Sequence, residues 1–361
     1  MSNLTEKSDR AEPATATTEP EVTPMEAAAE VRRLGQGIWV SSILQTAAQL
    51  RLADCIEDEP MPVEELAAKA GVDEHALIRL LRALAAHGVF ADVGGQRYRH
   101  TEYSRALRVD NPHSVRSLLL LAASEWNWAV WQNLPGNVTT GNAAFTEHYG
   151  KDLYRYFAED DPGAGAVFDE SMSEAGKWSS IPIARMLDLT DVRVIADVGG
   201  GQGGLLRTVL ERNPLLGGVL IDRDQVVAQA DPVLLAGQLA DRTQVIAADI
   251  RLEVPASADL YLLRQVMHIW DDETCVRILR NCVDRAVPGA RVVMIEHVLS
   301  DGPQPNSPFS TLIDLVMMLI GSGRERTTEE FAELAQQAGL EFLGVRRGAM
   351  PFGLIETKLP G

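Results

Sequence analysis

The segment LLRQVMHIWDDE, Leu262–Glu273, places a histidine and acidic residues directly after an apolar run. An imidazole has a reference pKa of about 6.5, so His268 could take a proton from a substrate near neutral pH and release it to solvent. A carboxylate on its other ring nitrogen would fix the tautomer and stabilise the imidazolium. Two further roles are open to His268, a structural cap at a strand end and a metal ligand. The metal is the least favoured, because zinc needs further ligands at recognisable spacing and the nearby His297 falls on another predicted strand.

The glycine-rich stretch VIADVGGGQGGLL could hold a nucleotide cofactor. Gly199, Gly201 and Gly204 formally satisfy the dinucleotide fingerprint G-x-G-x-x-G. The same stretch also reads Asp-x-Gly-x-Gly-x-Gly through Asp197, Gly199, Gly201 and Gly203. The acid separates the two interpretations, because a carboxylate at Asp197 disfavours a pyrophosphate and suits a cation. The amino group in the methionine moiety of S-adenosylmethionine (SAM) is such a cation, and glycines would let the backbone approach it closely.

Two more acids follow predicted strands at the same edge. Asp222 ends VLIDRD about twenty residues after the glycine loop, where an acid can accept hydrogen bonds from ribose hydroxyls. Asp249 ends the next strand in AADIR, where it could face the adenine amino group. Either acid alone could simply cap a loop. Together with Asp197 they place three carboxylates at the carboxyl ends of three successive strands, where open α/β sheets bind ligands.

Alternating strands and helices must position these side chains. From about residue 192, short β-branched segments alternate with amphipathic helices, which predicts an α/β fold with a doubly wound parallel sheet. The predicted strands are VRVIADVGG, GGVLIDRD, TQVIAADI, ADLYLLRQVMH and ARVVMIEHVL. Thr327 and Glu330 form a capping-box pattern before a helix that Gly339 ends. The closing EFLGVRRGA and FGLIETKL predict a final hairpin, so that this domain extends over residues 186–361.

The N-terminal part has a different pattern. Residues 1–25 hold too little apolar material to pack, which predicts a disordered tail. Residues 26–110 then show helices followed by a hairpin pattern. Asp73 would cap the start of one helix and Gly88 would end it, and Gly94-Gly95 would turn a two-stranded wing. Helix, turn, helix and wing together predict a winged helix.

A winged helix often binds DNA, so that function has to be weighed. The would-be recognition helix offers Arg79 and Arg82 to a groove but is otherwise rich in Ala and Leu, whereas groove recognition needs exposed polar and basic side chains. The chain also carries a net charge of −18. A duplex binder needs a basic stripe to displace counterions, and none is evident. We therefore expect no nucleic-acid partner.

Residues 111–185 are helical and rich in aromatic residues. Aromatic side chains at helical spacing are usually core. The alternative is a linker that also forms the wall of a pocket for a planar ligand. The residues concerned are Trp126, Trp128, Trp131, Phe157, Phe168 and Met172. The sequence leaves both interpretations open.

Length and composition limit the setting. A chain of 361 residues predicts more than one domain. The cysteines Cys55, Cys275 and Cys282 show no CxxC or CxxxC spacing and no export signal is evident, which fits a reducing cytoplasm. The longest apolar runs, such as Leu312–Ile320, are too short to cross a bilayer. We expect a cytoplasmic protein without a membrane partner and without a metal.

These motifs resemble the SAM-dependent small-molecule O-methyltransferases, in the branch that includes plant caffeic acid O-methyltransferase and bacterial enzymes that decorate aromatic polyketides. The resemblance covers nearly the whole chain after the tail. It rests on VIADVGGGQGG, LIDRDQVV, AADI, LLRQVMHIWDDE, VVMIEHVL and GRERTTEEFAELAQQAGL, in this order. It implies a Rossmann-like SAM-binding domain preceded by a mostly helical winged-helix domain. That domain would form a homodimer and close the partner's pocket.

The resemblance also implies roles for individual residues. His268 falls on the family's general base, and Glu296 and Glu325 fall on the carboxylates that flank it. The family's SAM-contacting positions fall on Gly199, Asp222, Asp249, Ile250 and Arg264. A phenol with a pKa near about 10 is mostly protonated at neutral pH, so a base would improve its nucleophilicity.

The acceptor pocket is the least specific part of the resemblance. We assign its lining to Trp128, Phe168, Met172, Asp314, Met317 and Met318, although methionines also fill ordinary cores. Many plant members have Asp after the histidine and Phe after the third acid, where this chain has Ile269 and Ile250. The loop before RERT is also slightly shorter. These departures leave the cofactor unchanged and affect the acceptor.

The leading interpretation is a homodimeric O-methyltransferase that acts on a phenolic hydroxyl of an aromatic natural product. Other members of the scaffold could methylate carbon or nitrogen, or use SAM for different chemistry. Carbon and nitrogen acceptors often need no base, so His268 favours oxygen. A winged-helix regulator that binds SAM as a ligand is the remaining alternative.

Overall fold

The structure is a computed structural model that describes residues 22–300, 302, 305–348 and 351–360. Most of the predicted tail, residues 1–21, lies outside the described residues. Its last part is wrong, because helix α1 (Pro24–Gly35) begins inside it. The reason is a capping box that the sequence already contains: the Glu26 N–H donates to Thr23 Oγ1 and the Thr23 N–H donates to Glu26 Oε2.

Helices and a small sheet form the N-terminal region, as predicted. After α1 the helices are α2 (Gly37–Gln49), α3 (Leu52–Cys55), α4 (Val63–Ala70), α5 (Glu74–Ala86) and α6 (Glu102–Arg105). The strands are β1 (Met61–Pro62), β2 (Phe90–Asp92) and β3 (Arg97–His100), in the order β1-β3-β2. Asp73 caps α5 by accepting from the Ala76 N–H, and Gly94 and Gly95 turn the antiparallel wing with positive φ angles.

A helical layer follows the winged helix. Its helices are α7 (Arg116–Ala122), α8 (Glu125–Gln132), α9 (Leu134–Thr140), α10 (Ala144–Tyr149), α11 (Leu153–Glu159) and α12 (Pro162–Met186). Aromatic rings of α8, α10 and α11 pack edge to face around Trp126, whose ring centroid lies 5.9 Å from that of Phe145 and 5.6 Å from that of Phe157. Trp126 and Phe157 are therefore core residues of this layer.

The C-terminal region is an α/β domain with a mixed sheet. Its strands are β4 (Val194–Val198), β5 (Gly217–Asp222), β6 (Thr243–Ala247), β7 (Leu260–Arg264), β8 (Arg291–Leu299), β9 (Arg326–Thr327), β10 (Glu341–Arg347) and β11 (Phe352–Lys358). Its helices are α13 (Gly204–Arg212), α14 (Asp224–Val227), α15 (Pro232–Leu235), α16 (Asp272–Asp284), α17 (Pro308–Ile320) and α18 (Thr328–Gln337). Short 3-10 turns occupy Ala240–Arg242 and Met267–Ile269.

The strand order explains why the candidate site residues meet. In the order β10-β11-β8-β7-β4-β5-β6, β4 is the central one of the five parallel strands from β8 to β6, with β7 and β5 parallel to it on either side. The predicted final hairpin is confirmed, and its strand β11 runs antiparallel to β8. Because β4 to β8 are parallel, their carboxyl ends lie at one edge of the sheet. Asp197 and Asp222 lie in the last two residues of their strands, and Asp249 and His268 follow the ends of theirs.

Both faces of the sheet are covered by apolar side chains. Successive residues of β4 point to opposite faces, so Ile195 packs in one core cluster and Ala196 in the other, each fully buried. The predicted capping box of Thr327 and Glu330 begins α18. In the part of the chain that the structure describes, no helix has the length and apolar character needed to cross a membrane.

Candidate active site

The glycine loop after β4 has the backbone conformation that its sequence predicts. Gly199 and Gly201 have φ angles of +68° and +61°, a region that side chains other than glycine rarely adopt. A Cβ at Gly199 would lie 2.8 Å from Val266 Cγ2, whereas a Cβ at Gly201 would meet no atom within 4 Å. Gly203 is the N-cap of α13. The loop is thus packed on its Gly199 side and open at Gly201.

Asp197 is the most unusual acid of this edge. It lies on the central strand with 1% of its surface exposed, and neither carboxylate oxygen has a hydrogen-bond partner among the described residues. Burial raises the pKa of Asp197 to about 6, against the smaller opposing effect of the Arg264 charge. A buried carboxylate without a partner is costly, so it indicates a site that is completed by a donor from a ligand.

Asp222 supports the same loop from the neighbouring strand. Its Oδ2 accepts from the Gly201 N–H at 2.8 Å and its Oδ1 accepts from the Arg223 N–H at 2.7 Å. Burial raises the pKa of Asp222, and these backbone hydrogen bonds partly oppose the rise. Each carboxylate oxygen keeps acceptor capacity for one further donor.

Asp249 lies two residues beyond the end of β6 and is paired within its own loop. Arg251 binds its carboxylate through two nitrogens, Nε at 2.9 Å and Nη2 at 2.6 Å. This pairing lowers the pKa of Asp249. Ile250 stands between Asp249 and Arg251 in the sequence. It lies close to the glycine loop, since a Cβ at Gly199 would lie 3.5 Å from Ile250 Cδ1.

Arg264 ends β7 and points toward the long helix α12. Its Nη1 donates to Ser180 Oγ at 3.2 Å, and the absence of a side chain at Gly176 makes room for its Nη2. Burial lowers the pKa of Arg264, while the charges of Asp197 and Glu296 act in the opposite direction. A guanidinium has five N–H donors, so Arg264 retains capacity for an anionic group.

His268 is not on the strand itself but in the 3-10 turn Met267–Ile269 that follows β7. Its side chain is buried, and its Nδ1 lies 2.8 Å from Glu325 Oε1. No hydrogen bond to its Nε2 is present within the described ranges. The ring is therefore held by a carboxylate through one nitrogen, and the other nitrogen makes no hydrogen bond to a described residue.

Glu296, from β8, holds the backbone of this turn instead of the imidazole. Its Oε1 accepts from the Val266 N–H at 2.9 Å and from the Met267 N–H at 2.8 Å. Its Oε2 is buried without a partner among the described side chains and backbone groups. Burial raises the pKa of Glu296 to about 7. Of the two flanking glutamates, Glu325 is thus the ring partner and Glu296 the support of the turn.

The two glutamates also change the proton affinity of His268. Burial alone would lower its pKa, but the charge of Glu296 and the hydrogen bond that Glu325 accepts outweigh burial and raise the pKa of His268 above its ordinary value. One potential ligand atom from each of these three residues lies within 4.8 Å of the others, a spacing that would also admit a metal ion. The 2.8 Å contact of Nδ1 with a carboxylate oxygen is the geometry of a hydrogen-bonded proton.

Among the residues predicted to line the acceptor pocket, Asp314 makes a hydrogen bond to the cluster of His268, Glu296 and Glu325. Asp314 lies on α17 and holds the backbone of Glu325, the residue that pairs with His268. Its Oδ1 accepts from the Glu325 N–H at 2.8 Å. Met317 is buried one turn further along α17, and Met318, Trp128 and Phe168 are half-buried. Met172 is 44% exposed.

A stack of aromatic and guanidinium groups lies over the same edge and was missed in the sequence. The Arg223 guanidinium lies 4.3 Å from the centroid of the Tyr154 ring, and Arg251 lies 4.9 Å from that of Trp270. The Tyr154 and Trp270 ring centroids are 6.5 Å apart. Tyr154 belongs to α11, so the helical layer contacts residues adjacent to Asp222, Asp249 and His268. No local pattern distinguishes Tyr154 from the other aromatic residues of that layer.

Comparisons with known proteins identify the family. The family model of the O-methyltransferase domain matches residues 131–341. The family model of the O-methyltransferase dimerisation domain matches residues 33–110. The chain belongs to the O-methyltransferase family. Its cofactor is SAM.

Relatives of this O-methyltransferase differ in the atom named as methyl acceptor. Phenazine O-methyltransferase PhzM of Lysobacter antibioticus is 33% identical, over 89% of this chain and 93% of its own length. Phenazine-1-carboxylate N-methyltransferase of Pseudomonas aeruginosa is 33% identical, over 84% of this chain and 89% of its own. The solved structure of mitomycin 7-O-methyltransferase MmcR, at 31% identity, superposes with a TM-score of 0.84 over 93% of this chain and 99% of that chain.

Proposed function

We propose that this O-methyltransferase transfers the methyl group of SAM to a phenolic hydroxyl of an aromatic natural product, with His268 as the general base. The observation that carries the proposal is the buried 2.8 Å contact between His268 Nδ1 and Glu325 Oε1. It leaves Nε2 as the ring atom that can accept the phenolic proton. Similarity to enzymes named for phenazine and mitomycin acceptors supports an aromatic substrate.

The residues at the glycine loop fit SAM. We assign the unpartnered carboxylate of Asp197 to the cofactor's amino group and the spare donors of Arg264 to its carboxylate, because each buried group lacks a partner of opposite charge in contact with it. Asp222 has acceptor capacity for ribose hydroxyls, and Asp249 and Ile250 are assigned to the adenine side. The open side of Gly201 leaves the space that a bound cofactor needs.

The chain's own groups prepare the acceptor oxygen. When bound, SAM supplies an electrophilic methyl group on a sulfonium. His268 takes the proton from the phenol at Nε2, and the charge that forms on its ring is stabilised by Glu325 at Nδ1. Glu296 fixes the turn through two backbone N–H groups, so that the ring keeps its position as it gains the proton. Alignment of acceptor and donor supplies the remaining rate enhancement.

The acceptor is assigned to the space between the His268 turn and the helical layer. Half-buried Trp128 and Phe168, with Met172, would present flat and adaptable apolar surface to an aromatic ring. Asp314, Met317 and Met318 would close the side formed by α17. We further propose a homodimer through residues 26–110, since Val31, Leu34 and Trp39 expose large apolar surfaces on α1 and α2.

The test is incubation with methyl-labelled SAM and a panel of acceptors: hydroxyphenazines, phenolic acids and aromatic polyketide aglycones. We expect label in an O-methyl product from at least one class. Measurable SAM binding with no labelled product from any phenol would refute the assignment to phenolic oxygen.

A nitrogen acceptor is the second candidate, because a relative of equal identity is named as an N-methyltransferase. A neutral aromatic nitrogen already presents a lone pair and needs no base. The two functions therefore differ in their response to His268→Ala, which should lower O-methylation by about 10²-fold or more and spare N-methylation.

A further inference from the structure

Arg326 is a fully buried arginine whose guanidinium contacts the backbone of the His268 turn. Its Nη1 donates to Met267 O at 2.8 Å and its Nη2 donates to Trp270 O at 2.7 Å. These two carbonyls lie on either side of His268 and Ile269. A single planar group thus holds both ends of the short segment that carries the histidine.

The other edge of the same guanidinium is fixed by Asp272. Asp272 Oδ1 accepts from Arg326 Nε at 2.9 Å and from Nη2 at 2.8 Å. Asp272 is the first residue of α16, so the arginine also ties the turn to the helix that follows it. Because the fork is anchored at one side and donates at the other, Arg326 has little freedom to shift.

The turn is therefore held by two residues of opposite charge. Glu296 binds its amide groups from β8, and Arg326 binds its carbonyl groups from β9. The segment that precedes Arg326 also lies directly on the turn. A Cβ at Gly323 would collide with His268 O and would lie 2.6 Å from Ile269 O.

We propose that Arg326 is a positioning residue for the methyl transfer: by holding the carbonyls of Met267 and Trp270, it fixes the His268 ring against Glu325. The role rests on the proposed function of His268 as the base. Arg326 acts through the turn, and its guanidinium makes its hydrogen bonds to backbone and to Asp272.

Charge provides a second readout, because the pKa of His268 depends on the charges that face its ring. The charged groups that face His268 are Glu296 from β8, Glu325 from the segment before β9, and Arg326 from β9 itself. Burial and the Arg326 charge lower the pKa of His268, whereas the two glutamates raise it. Removing the Arg326 charge should therefore raise the pKa of His268, and keeping the charge without the fork should not.

The experiment compares two substitutions in the full-length protein. Arg326→Met removes charge and fork, and Arg326→Lys keeps the charge but cannot span two carbonyls and Asp272. We expect both to lower kcat by about tenfold or more, as misplacement of a catalytic group does, with little change in acceptor KM. Only Arg326→Met should raise the pKa of His268, measured by NMR of histidine-labelled protein with His268→Gln for assignment.

Arg324→Met is the matched control. Arg324 also binds Asp272, at 3.1 Å, but its side chain pairs with Glu330 and makes no hydrogen bond to the turn carbonyls. It should leave kcat within about twofold of the parent. If Arg326→Met does not fold, Asp272→Asn loosens the same guanidinium from its outer side and should lower kcat by several-fold. SAM affinity by calorimetry should be unchanged in every variant.

Two results would overturn the positioning role. The first is kcat near the parent value in Arg326→Lys. The second is a His268 pKa that does not differ between Arg326→Met and Arg326→Lys. Failure of the proposed function is a separate outcome, because it would show as unchanged turnover in His268→Ala, and the NMR titration of the Arg326 variants needs no acceptor.

Discussion

Replacing Asp197 by Asn should stabilise the cofactor-free protein and weaken its affinity for SAM. Asp197 is 1% exposed, and burial raises its pKa from 3.8 to about 6. Because the folded-state pKa lies above the unfolded value, the parent protein keeps its full stability below about pH 4, where the Asp197 carboxyl is protonated. It loses part of that stability as the pH rises through about 6 and the carboxyl ionises. A shift of about two units at about 1.36 kcal/mol each makes the ionised form cost about 3 kcal/mol. Asn avoids that cost.

The magnitude can be converted to a melting temperature. An unfolding entropy of about 2.1 cal/mol/K per residue makes about 3 kcal/mol equivalent to about 4 °C for a chain of this length. Without SAM, the Asp197→Asn protein should therefore melt about 4 °C above the parent at about pH 8, the difference should roughly halve by about pH 5, and the two should converge below about pH 4. With SAM, the parent should gain stability and the variant should gain little, because loss of a charge-assisted hydrogen bond weakens binding by about 10- to 100-fold.

The assay is thermal unfolding between about pH 4 and about pH 8, with and without SAM, with calorimetry for the dissociation constant. The exposed Asp241→Asn is the control for loss of one negative charge and should change neither quantity. A melting temperature below that of the parent at high pH would mean that Asp197 has a stabilising partner in the fold. Unchanged SAM affinity would remove the assignment to the amino group.

The other predictions concern the base and the stack. His268→Ala should lower turnover by about 10²-fold or more with nearly unchanged SAM affinity, and a rate close to the parent would refute general-base catalysis. In the parent, kcat should fall as the pH drops through the raised pKa of His268, above about 6.5, because only the neutral ring accepts a proton. Glu325→Gln should lower kcat and move this acidic limb to lower pH, since it removes interactions that raise the pKa; a limb that stays in place would show that Glu325 does not control the ring. Tyr154→Ala should weaken SAM binding several-fold by removing the ring beneath Arg223, whereas Tyr154→Phe should retain it; equal effects of the two would assign the role to the hydroxyl.

Local patterns were sufficient to predict most of the fold. The capping residues Asp73 and Thr327, the glycine turn of the wing and the alternation of strands and helices each depend on neighbours in sequence. The predicted parallel strands place their carboxyl ends at one edge of the sheet, and this brings Asp197, Asp222 and His268 to that edge. One capping box was overlooked, that of Thr23 and Glu26, and for this reason the predicted disordered tail ended at residue 25, inside helix α1.

Contacts between distant segments could not be predicted in the same way. Arg326 meets Met267 across 59 residues, and no periodicity connects them. Sequence could name Glu296 and Glu325 as carboxylates near the base but could not distinguish their roles, since that depends on which oxygen meets a ring nitrogen and which meets a backbone N–H. The contacts of Tyr154 could not be predicted for the same reason, because its partners Arg223 and Trp270 come from two separate loops of the α/β domain.

The unpaired charges of this edge have a common physical meaning. Asp197 and Glu296 are buried acids with raised pKa values, and each has a carboxylate oxygen without a partner among the described residues. A fold selected for stability alone would pair or remove such groups. Asp197 faces the glycine loop, and in the proposed function the complement to its charge is the cation that the cofactor brings. Glu296 faces His268, and in the proposed function its complement is the proton that the imidazole gains during the reaction. In that proposal, ligand binding and the transition state relieve the cost of burying these two acids.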